Sequence, residues 1–524
     1  MDSLTSNDPY SCVKPDDAKV VHTDLDLFID FDETVIHGKA VLFIKSKADC
    51  DRIEDKITVK DDVTGNALVY KINKCIDNIG SEAFLIMLPR TLRNDEKLHD
   101  YKDTLDKIHF LYNYRILIEY KTRKDSLALY WLRRDQTSDG THPFLLTNNQ
   151  FTYARGIFPC QDSPQVRFTY TAEISVPKAI RVIVGGRRCK SIIKGNPDRY
   201  THLFYETNPM PSYAIIIVAG LLRLHNFNRS KIVTLWAEEK HFEQSTRVLN
   251  FCKHAIDIAN ELCGFPIQEE YNICVLPSNI PEIELQCRTM IFVSSTLLDE
   301  DPVFMYNTIA RKIAQSWAGG LVTCKNFQHL WLIKGFSIFI SSEILQSKYL
   351  PETDEITFMR RRIFTDLSVK MRLYGVDSQQ KLVPSLTDIL PKNISKSVPD
   401  EVGYYLLDSL RNDLGGSTVF AQYLKHYMRT FCYQSIDTID YDWMVNLFSY
   451  FDSKHEISVP KTIKVIVGGL QSKSTMKYSE DRDSHFFYET NPMPSYTIII
   501  MAGSLKSIDD NYFSSLISNL KITL

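Results

Sequence analysis

Residues 304–340 constrain the fold more than any other part of the sequence, because apolar residues recur there at helical spacing on both sides of a glycine pair. Every fourth position in the first half is apolar: Met305, Ile309, Ile313 and Trp317. This spacing lays one apolar stripe along a helix. The pattern predicts a first helix that ends at Gly319 and Gly320, followed by a second, more apolar helix.

Four polar residues stand out within this apolar region. Arg311, Lys312 and Gln315 fall on the face of the first predicted helix that lies opposite the stripe, and Lys334 falls inside the second helix. The residues that flank these positions are therefore the part of the sequence to compare with known motifs.

Those flanks resemble the zinc-binding helices of the leukotriene-A4 hydrolase and aminopeptidase family of zinc metallopeptidases, peptidase family M1. Residues 316–323, SWAGGLVT, and 331–335, WLIKG, follow the family patterns SWxGNLVT and WLNEG. In that family, two histidines of an HExxH motif and a glutamate on the next helix hold zinc, and the glutamate after the first histidine activates water. A further resemblance, to the family's N-terminal β domain, lies in residues 158–164, FPCQDSP.

The resemblance implies that Arg311, Gln315 and Lys334 occupy the three ligand positions and that Lys312 occupies the position of the water-activating glutamate. Arginine has no lone pair to offer, lysine must first lose a proton, and a glutamine amide is a poor zinc ligand. Each cation would also repel a metal ion, by about 1 kcal/mol per unit-charge pair at 4 Å in water and by more in a cleft. The sequence therefore predicts neither a bound metal nor another cofactor.

Other functional elements of the family are also altered. Where the family carries a Gly-Gly-Met-Glu-Asn segment that holds substrate, the aligned positions include Ile283, Glu284 and Gln286. The tyrosine that stabilises the tetrahedral intermediate is replaced by Asp400, and a carboxylate there opposes a developing oxyanion. Gln150 matches a substrate-contacting glutamine, although a solvated loop glutamine is the simpler interpretation. We predict no catalytic residue and only vestigial substrate-binding positions.

A long internal repeat sets the C-terminal part apart. Residues 455–505 repeat residues 172–222 without a gap, and 34 of the 51 positions are identical. The repeat is rich in β-branched and aromatic residues, and it follows a helical region instead of continuing one. Its strand edges need a cover, either from the first domain or from another chain, and a duplication or gene-assembly artefact is the third interpretation.

Periodicity and turn signals predict an α+β multidomain protein. We expect an N-terminal β-sheet domain at 1–222, a thermolysin-like, mainly α domain at 223–452, and a duplicated β segment at 453–524 in place of the helical domain that the resemblance implies. A net charge of −3 argues against nucleic-acid binding, and there is no apolar run long enough for a membrane span. Eleven cysteines without CxxC spacing and a polar N-terminus favour a reduced, cytoplasmic location.

Three functions remain open at this point. The leading hypothesis is a catalytically inactive relative of the zinc aminopeptidases that binds a peptide or protein partner or serves as a scaffold. The first alternative is an active metalloaminopeptidase or epoxide-hydrolase-like enzyme with an altered site. The second is a degenerate or misassembled product.

Overall fold

The computed structural model describes the chain in sections: residues 8, 11, 15–46, short stretches between 52 and 110, and 111–192, 196–226, 233–267, 270–281, 285–300, 302–346, 382–386, 393–394, 400–413, 416–441 and five strands between 457 and 503. Residues 1–438 form one compact unit and residues 439–524 form a second. The periodicity of the sequence also predicts a helix at 354–374, which lies outside the described residues. No helix in the described sections combines the length and apolar character that crossing a bilayer requires.

The N-terminal part of the first unit is built from strands, as predicted. Their bounds are β1 Ala18–Asp30, β2 Val35–Ser46, β3 Arg52–Ile53, β4 Val59–Asp61, β5 Tyr70–Asn73, β6 Ala83–Met87, β7 Lys97–Tyr101, β8 Ile108–Tyr112, β9 Tyr114–Lys121, β10 Leu129–Leu132, β11 Phe144–Thr147, β12 Arg167–Pro177, β13 Arg181–Val184, β14 Arg187–Ile192, β15 Arg199–Pro211 and β16 Ile217–Gly220.

Two sheets carry most of these strands. The larger has seven strands in the order β14-β15-β12-β1-β2-β9-β4, with β1 parallel to β12. The smaller has four antiparallel strands in the order β10-β11-β16-β13. Every residue of β11 and β16 is buried, so the smaller sheet is covered on both faces. Two further small sheets, β3-β6-β5 and β7-β8, complete this part.

A second group of strands and helices follows. The strands are β17 Arg223–Asn226, β18 Val233–Ala237, β19 Tyr271–Leu276, β20 Met290–Ser294, β21 Thr323–Cys324 and β22 Ser435–Ile436. The helices are α1 Phe242–Cys263, α2 Pro302–Ala314, α3 Trp331–Gln346, α4 Asp400–Asp413 and α5 Ser417–Thr430. The periodicity of the sequence predicts helices at 242–262, 401–414 and 418–430, and a strand at 271–276. The structure confirms all four.

The third sheet has the order β17-β18-β19-β20, and its last three strands are parallel. One apolar cluster joins it to the smaller N-terminal sheet, because Phe144, Leu146 and Val218 pack together with Trp236 and Phe292. The β-rich part and the helical part of the first unit therefore share a core. Helix α3 packs against both α2 and α4.

From residue 457 onward, the described residues of the second unit lie in strands: β23 Ile457–Pro460, β24 Lys464–Val467, β25 Gln471–Ser479, β26 Arg482–Tyr488 and β27 Ile500–Gly503. They form a three-stranded sheet, β23-β26-β25, and a two-stranded sheet, β24-β27.

Candidate functional site

The apolar stripe of helix α2 faces the protein interior. Met305, Ile309 and Ile313 are buried along it, and Trp317 continues the stripe beyond the helix end. Arg311 and Lys312 lie in the last turn and are half-buried. The stripe thus fixes the helix against the core and holds these two side chains at its partly covered side.

The end of α2 differs from the prediction. The helix stops at Ala314, five residues before Gly319, where the backbone hydrogen bonds change their spacing. The Ser316 N–H donates to the Ile313 carbonyl at 2.9 Å, and the Gly320 N–H reaches back to the Gln315 carbonyl at 3.0 Å. The chain keeps winding through these tighter and wider turns, which is why the apolar spacing continues after the α-helix has ended.

The positions that match zinc ligands are covered by the fold. Gln315 is 7% exposed and Lys334 only 3% exposed, so two of the three positions are buried, and Arg311 is half-buried. Arg311, Lys312 and Lys334 each have at least one interaction partner. The charge inversion at these positions predicts ion pairs from the cations to Glu282, Glu284 or Asp400. Residues 282–284 and the side chain of Asp400 lie outside the described residues, so these pairs stay a prediction.

Gln286 is brought to the turn between α2 and α3. Its side chain is 1% exposed, and Oε1 lies 2.9 Å from the place where a Cβ on Gly319 would stand. Gly319 has φ of +120°, a conformation that favours glycine, and Ile333 of α3 approaches the same point at 3.3 Å. Gln286 Nε2 is buried without a hydrogen-bond partner. Of the other predicted contacts in this segment, Ile283 and Glu284 lie outside the described residues.

The interpretation of Gln150 as a solvated loop residue is wrong. Gln150 is 3% exposed, and its Oε1 is buried without a hydrogen-bond partner. Both neighbours of Gln150 fix the loop that follows β11. Asn149 Nδ2 donates to the Ile215 carbonyl at 2.6 Å, and the rings of Phe151 and Phe327 pack edge to face at 5.0 Å. Phe327 precedes α3, so this loop packs on the entry to that helix.

Two residues that the sequence analysis did not single out fix the turn after α2. The Tyr213 hydroxyl donates to the Gly319 carbonyl at 2.8 Å and lies 2.5 Å from Thr323 Oγ1. Arg167 donates to the Gly320 carbonyl at 2.9 Å and to the Gln434 carbonyl at 3.2 Å, and burial lowers the pKa of Arg167 to about 10. The only sequence signal for Tyr213 was its place in the internal repeat.

Helices α3 and α4 cross at a pair of glycines. A Cβ on Gly335 would lie 2.8 Å from the Gly403 carbonyl carbon, and a Cβ on Gly403 would lie 3.0 Å from the Gly335 Cα. Because only glycine allows backbones this close, the crossing fixes the distance between Lys334 and the start of α4, where Asp400 is the first residue. The framework that surrounds the ligand positions is therefore tightly packed.

Zinc does not fit the side chains at these positions. A guanidinium, an ammonium and an amide stand where an imidazole or carboxylate donor is needed. The buried position of Lys334 makes the mismatch worse, since a second cation in a covered site is screened less than on the surface. The arrangement offers donors of hydrogen bonds and positive charge, which suit an anionic group better than a metal ion.

Comparison with known proteins gives two family matches that follow one another along the chain. Residues 19–214 match the Peptidase M1 N-terminal domain, and residues 248–451 match the Peptidase family M1 domain.

The chain is 28% identical to leukotriene A-4 hydrolase of Xenopus laevis, over 86% of this chain and 71% of that protein. It is 29% identical to leucine aminopeptidase 2 of Vanderwaltozyma polyspora, over 84% of this chain and 64% of that protein. With leucine aminopeptidase 2 of Emericella nidulans, the match spans 54% of the relative's length at 28% identity. This chain thus spans less than two thirds of either leucine aminopeptidase.

Solved structures share the fold. Native yeast LTA4 hydrolase superposes with a TM-score of 0.72 at 23% identity, over 86% of this chain and 68% of that chain. An M1 zinc metallopeptidase from Deinococcus radiodurans gives a TM-score of 0.59 at 16% identity, over 84% of this chain and 94% of that chain.

Proposed function

The chain belongs to peptidase family M1, and from that premise we propose that it is a member without peptidase activity, which binds a carboxylate-bearing peptide or protein segment. The proposal concerns the site, because a shared scaffold does not by itself fix the function.

One observation carries the loss of activity: the ligand positions hold Arg311, Gln315 and Lys334, and Lys334 is buried. A surface lysine could turn into solvent and leave room for a metal, whereas a buried lysine keeps its charge inside the site. Lys312 and Asp400 replace the two residues that would act on water and on the oxyanion. Binding and chemistry are therefore impaired by independent changes.

The kind of ligand follows from what remains. Arg311, Lys312 and Lys334 supply positive charge, which attracts a carboxylate and repels a free amino terminus. Gln150 Oε1 and Gln286 Nε2 are buried and have no hydrogen-bond partner, which costs about 1–3 kcal/mol for each group unless something pairs with it. A peptide amide offers both a donor and an acceptor. The unpaired atoms of these two glutamines support a ligand that contains peptide groups.

The loss of activity is tested by elemental analysis of the purified protein together with hydrolysis of aminoacyl-anilide substrates. We expect no stoichiometric zinc and no turnover, also after incubation with zinc followed by desalting. Stoichiometric zinc accompanied by turnover would establish the active alternative and overturn the proposal.

Ligand preference is tested by calorimetric titration with peptides that differ only in a free or an amidated C-terminus. We expect the free acid to bind at least about tenfold more tightly, the effect of one charge-assisted hydrogen bond. Arg311→Gln should remove the preference, and Arg181→Gln, which changes an exposed arginine on β13, should retain it. Equal affinity of the wild type for both peptides would contradict the ligand assignment.

A further inference from the structure

The hairpin formed by β1 and β2 carries three side chains of metal-ligand type at its turn. Asp30 is the last residue of β1, Glu33 lies in the turn at 31–34, and His37 lies on β2. Two carboxylate oxygens and one ring nitrogen, one atom from each residue, lie within 4.8 Å of one another. Among the described residues of the chain, no other group of three such side chains comes this close together.

The pairing of the two strands brings these side chains to one place. His37 stands opposite Phe28 in the β1-β2 ladder, and directly opposed residues share a face of the sheet. Asp30 follows Phe28 by two residues and therefore lies on that face too. The rings of Phe28 and His37 pack edge to face with centroids 6.2 Å apart, and the Glu33 N–H donates to Asp30 Oδ1 at 2.9 Å. The register and the turn thus fix where the three side chains meet.

Each of the three residues keeps a possible ligand atom outside the hydrogen bonds of the described structure. Asp30 accepts through Oδ1 from the N–H groups of Asp32 and Glu33, which leaves Oδ2. Glu33 accepts from Lys121 Nζ through Oε2 at 2.6 Å, which leaves Oε1. The ring of His37 contacts Phe28, and neither of its nitrogens bonds to a described residue.

The kind of ion follows from the ligand atoms. Bonds to a first-row divalent ion are about 2.0–2.2 Å long, so two ligand atoms on opposite sides of it are up to about 4.4 Å apart. Small rotations of side chains that are exposed or half-buried close the remaining gap. Mg²⁺ and Ca²⁺ are bound through oxygen, whereas an imidazole beside carboxylates suits first-row transition metals.

We propose that Asp30, Glu33 and His37 form a binding site for a divalent first-row transition-metal ion, with Mn²⁺ or Zn²⁺ as its occupant. The two carboxylates offset the charge of the ion, and water completes its coordination. The site is separate from the ligand positions of α2 and α3. It has three protein ligands on an accessible surface, unlike a closed structural site with four, so its ion exchanges readily and is removed by desalting.

Lys121 competes with the ion for this site. It stands opposite His37 in the β2-β9 ladder, and its ammonium pairs with Glu33. A bound cation must share Glu33 with this ammonium and is repelled by it. Lys121→Met keeps an unbranched side chain and removes the charge, so it should tighten binding about fivefold, the effect of one unit charge at about 4 Å in water.

The test is titration of the full-length protein with Mn²⁺, with the free ion measured by its electron paramagnetic resonance signal. We expect about one Mn²⁺ per chain with a dissociation constant of about 10–100 μM. Asp30→Asn, Glu33→Gln and His37→Ala should each weaken binding at least about tenfold. Asp30→Asn retains an oxygen acceptor for the turn, so its effect does not depend on loss of the hairpin. His254→Ala, which changes an exposed histidine on α1, is the matched control and should bind like the wild type.

Competition with other ions tests the assigned class of metal. Zn²⁺ at a concentration equal to that of Mn²⁺ should displace it, because affinity for such ligands rises along the first row, whereas a tenfold excess of Mg²⁺ should not. Displacement by Mg²⁺ as readily as by Zn²⁺ would overturn the proposal. Absence of saturable binding below about 1 mM would do the same, as would binding that all three variants leave unchanged. The zinc measurement on α2 and α3 uses desalted protein, so either proposal can fail without the other.

Discussion

At the scale of single residues, Lys334 is the most informative side chain in the site. A lysine that is 3% exposed within an otherwise buried helix has lost its hydration, so its charge must be compensated by groups around it. Lys334 has an interaction partner in the folded chain, and a metal ion could not fill that place because it would repel the same charge. The proposed loss of zinc therefore concerns the stability of the site as well as its chemistry.

Reversal of the four changed positions is expected to restore metal binding without restoring turnover. The variant carries Arg311→His, Lys312→Glu, Gln315→His and Lys334→Glu, which recreates the donor set of a family site on the same two helices. We expect about one zinc ion per chain by elemental analysis and a rise in melting temperature with zinc. Turnover should stay absent, because Asp400 still stands where the oxyanion needs a donor.

Lys312→Glu alone is the control, since it changes a position that does not bind metal in the family. It should take up no zinc. A four-residue variant that folds but binds no zinc would show that α2 and α3 no longer hold the ligand geometry.

His22 gives the first unit a dependence on pH. Burial lowers the pKa of His22, although its Nε2 lies 3.1 Å from Asp24 Oδ1, and its ring stacks on Phe110. Its Nδ1 lies 2.6 Å from Thr169 Oγ1 on β12. The folded pKa is lower than the unfolded value of about 6.5, so the unfolded chain takes up the proton first as the pH falls.

The free energy of unfolding should therefore decrease as the pH falls from about 7 through the lowered pKa of His22, by about 1.4 kcal/mol for each unit of pKa shift. His22→Asn removes this titration, so its stability should change less than that of the wild type between pH 7.5 and 5.5 in urea denaturation. Parallel pH profiles for the two proteins would contradict this role of His22.

The residue scale is also where sequence reasoning failed. The identities at the ligand positions could be read directly, but the burial of Gln150 could not, because it results from Asn149 and Phe151 packing against distant segments. Likewise, nothing near Arg167 in the sequence indicates that it supports Gly320, 153 residues away. Local patterns report on local structure, and these contacts are long-range.

At the scale of elements, the sequence predicted most helices well and one helix end poorly. Helices α1, α4 and α5 have apolar faces with ordinary periodicity, so their bounds agree with the prediction to within one residue. Helix α2 ends five residues early, because hydrogen bonds of unequal spacing continue the winding of the chain toward Gly320. The spacing of apolar residues shows that the backbone winds at about the helical period. It does not distinguish an α-helix from a run of tighter and wider turns.

Gly335 is the residue on which the packing of α3 against α4 depends. Gly335→Ala places a Cβ 2.8 Å from a backbone carbon of Gly403, and backbone cannot move aside cheaply. We expect a loss of about 1–3 kcal/mol in the free energy of unfolding, which outweighs the gain of up to about 1 kcal/mol in helix propensity. Ser342→Ala, on the same helix and only half-buried, should change stability by less than about 0.5 kcal/mol. A neutral or stabilised Gly335→Ala would show that the two helices can separate.

At the scale of the whole molecule, the fold class was predictable, but the joining of its parts was not. The alternating pattern of the strands and the helical periodicity identified an α+β chain. The apolar cluster that joins Phe144 and Val218 to Trp236 could not be predicted, because it depends on which sheets face each other. The proposed domain limits at 222 and 452 remain predictions. Contact within the chain instead separates two units at Thr438 and Ile439.

This division predicts that the second unit can be removed without loss of the first. A chain that ends after Tyr441 retains β22 and Thr438, whose Oγ1 accepts a hydrogen bond from the buried Trp331 Nε1 at 3.0 Å. Its main melting transition in scanning calorimetry should lie within about 2 °C of that of the full-length protein, a change of less than about 1 kcal/mol.

A chain that ends after Tyr433 tests the same division, because it also removes the last residues of the first unit. It loses the pairing of β21 with β22, the 2.6 Å hydrogen bond from Ser435 Oγ to the Pro164 carbonyl, and the partner of Trp331 Nε1. At about 1 kcal/mol for each hydrogen bond and up to about 3 for an unpaired buried donor, its main transition should fall by more than about 4 °C. If both truncations lowered the transition equally, the first unit would need residues beyond 441, and the boundary at Thr438 would be wrong.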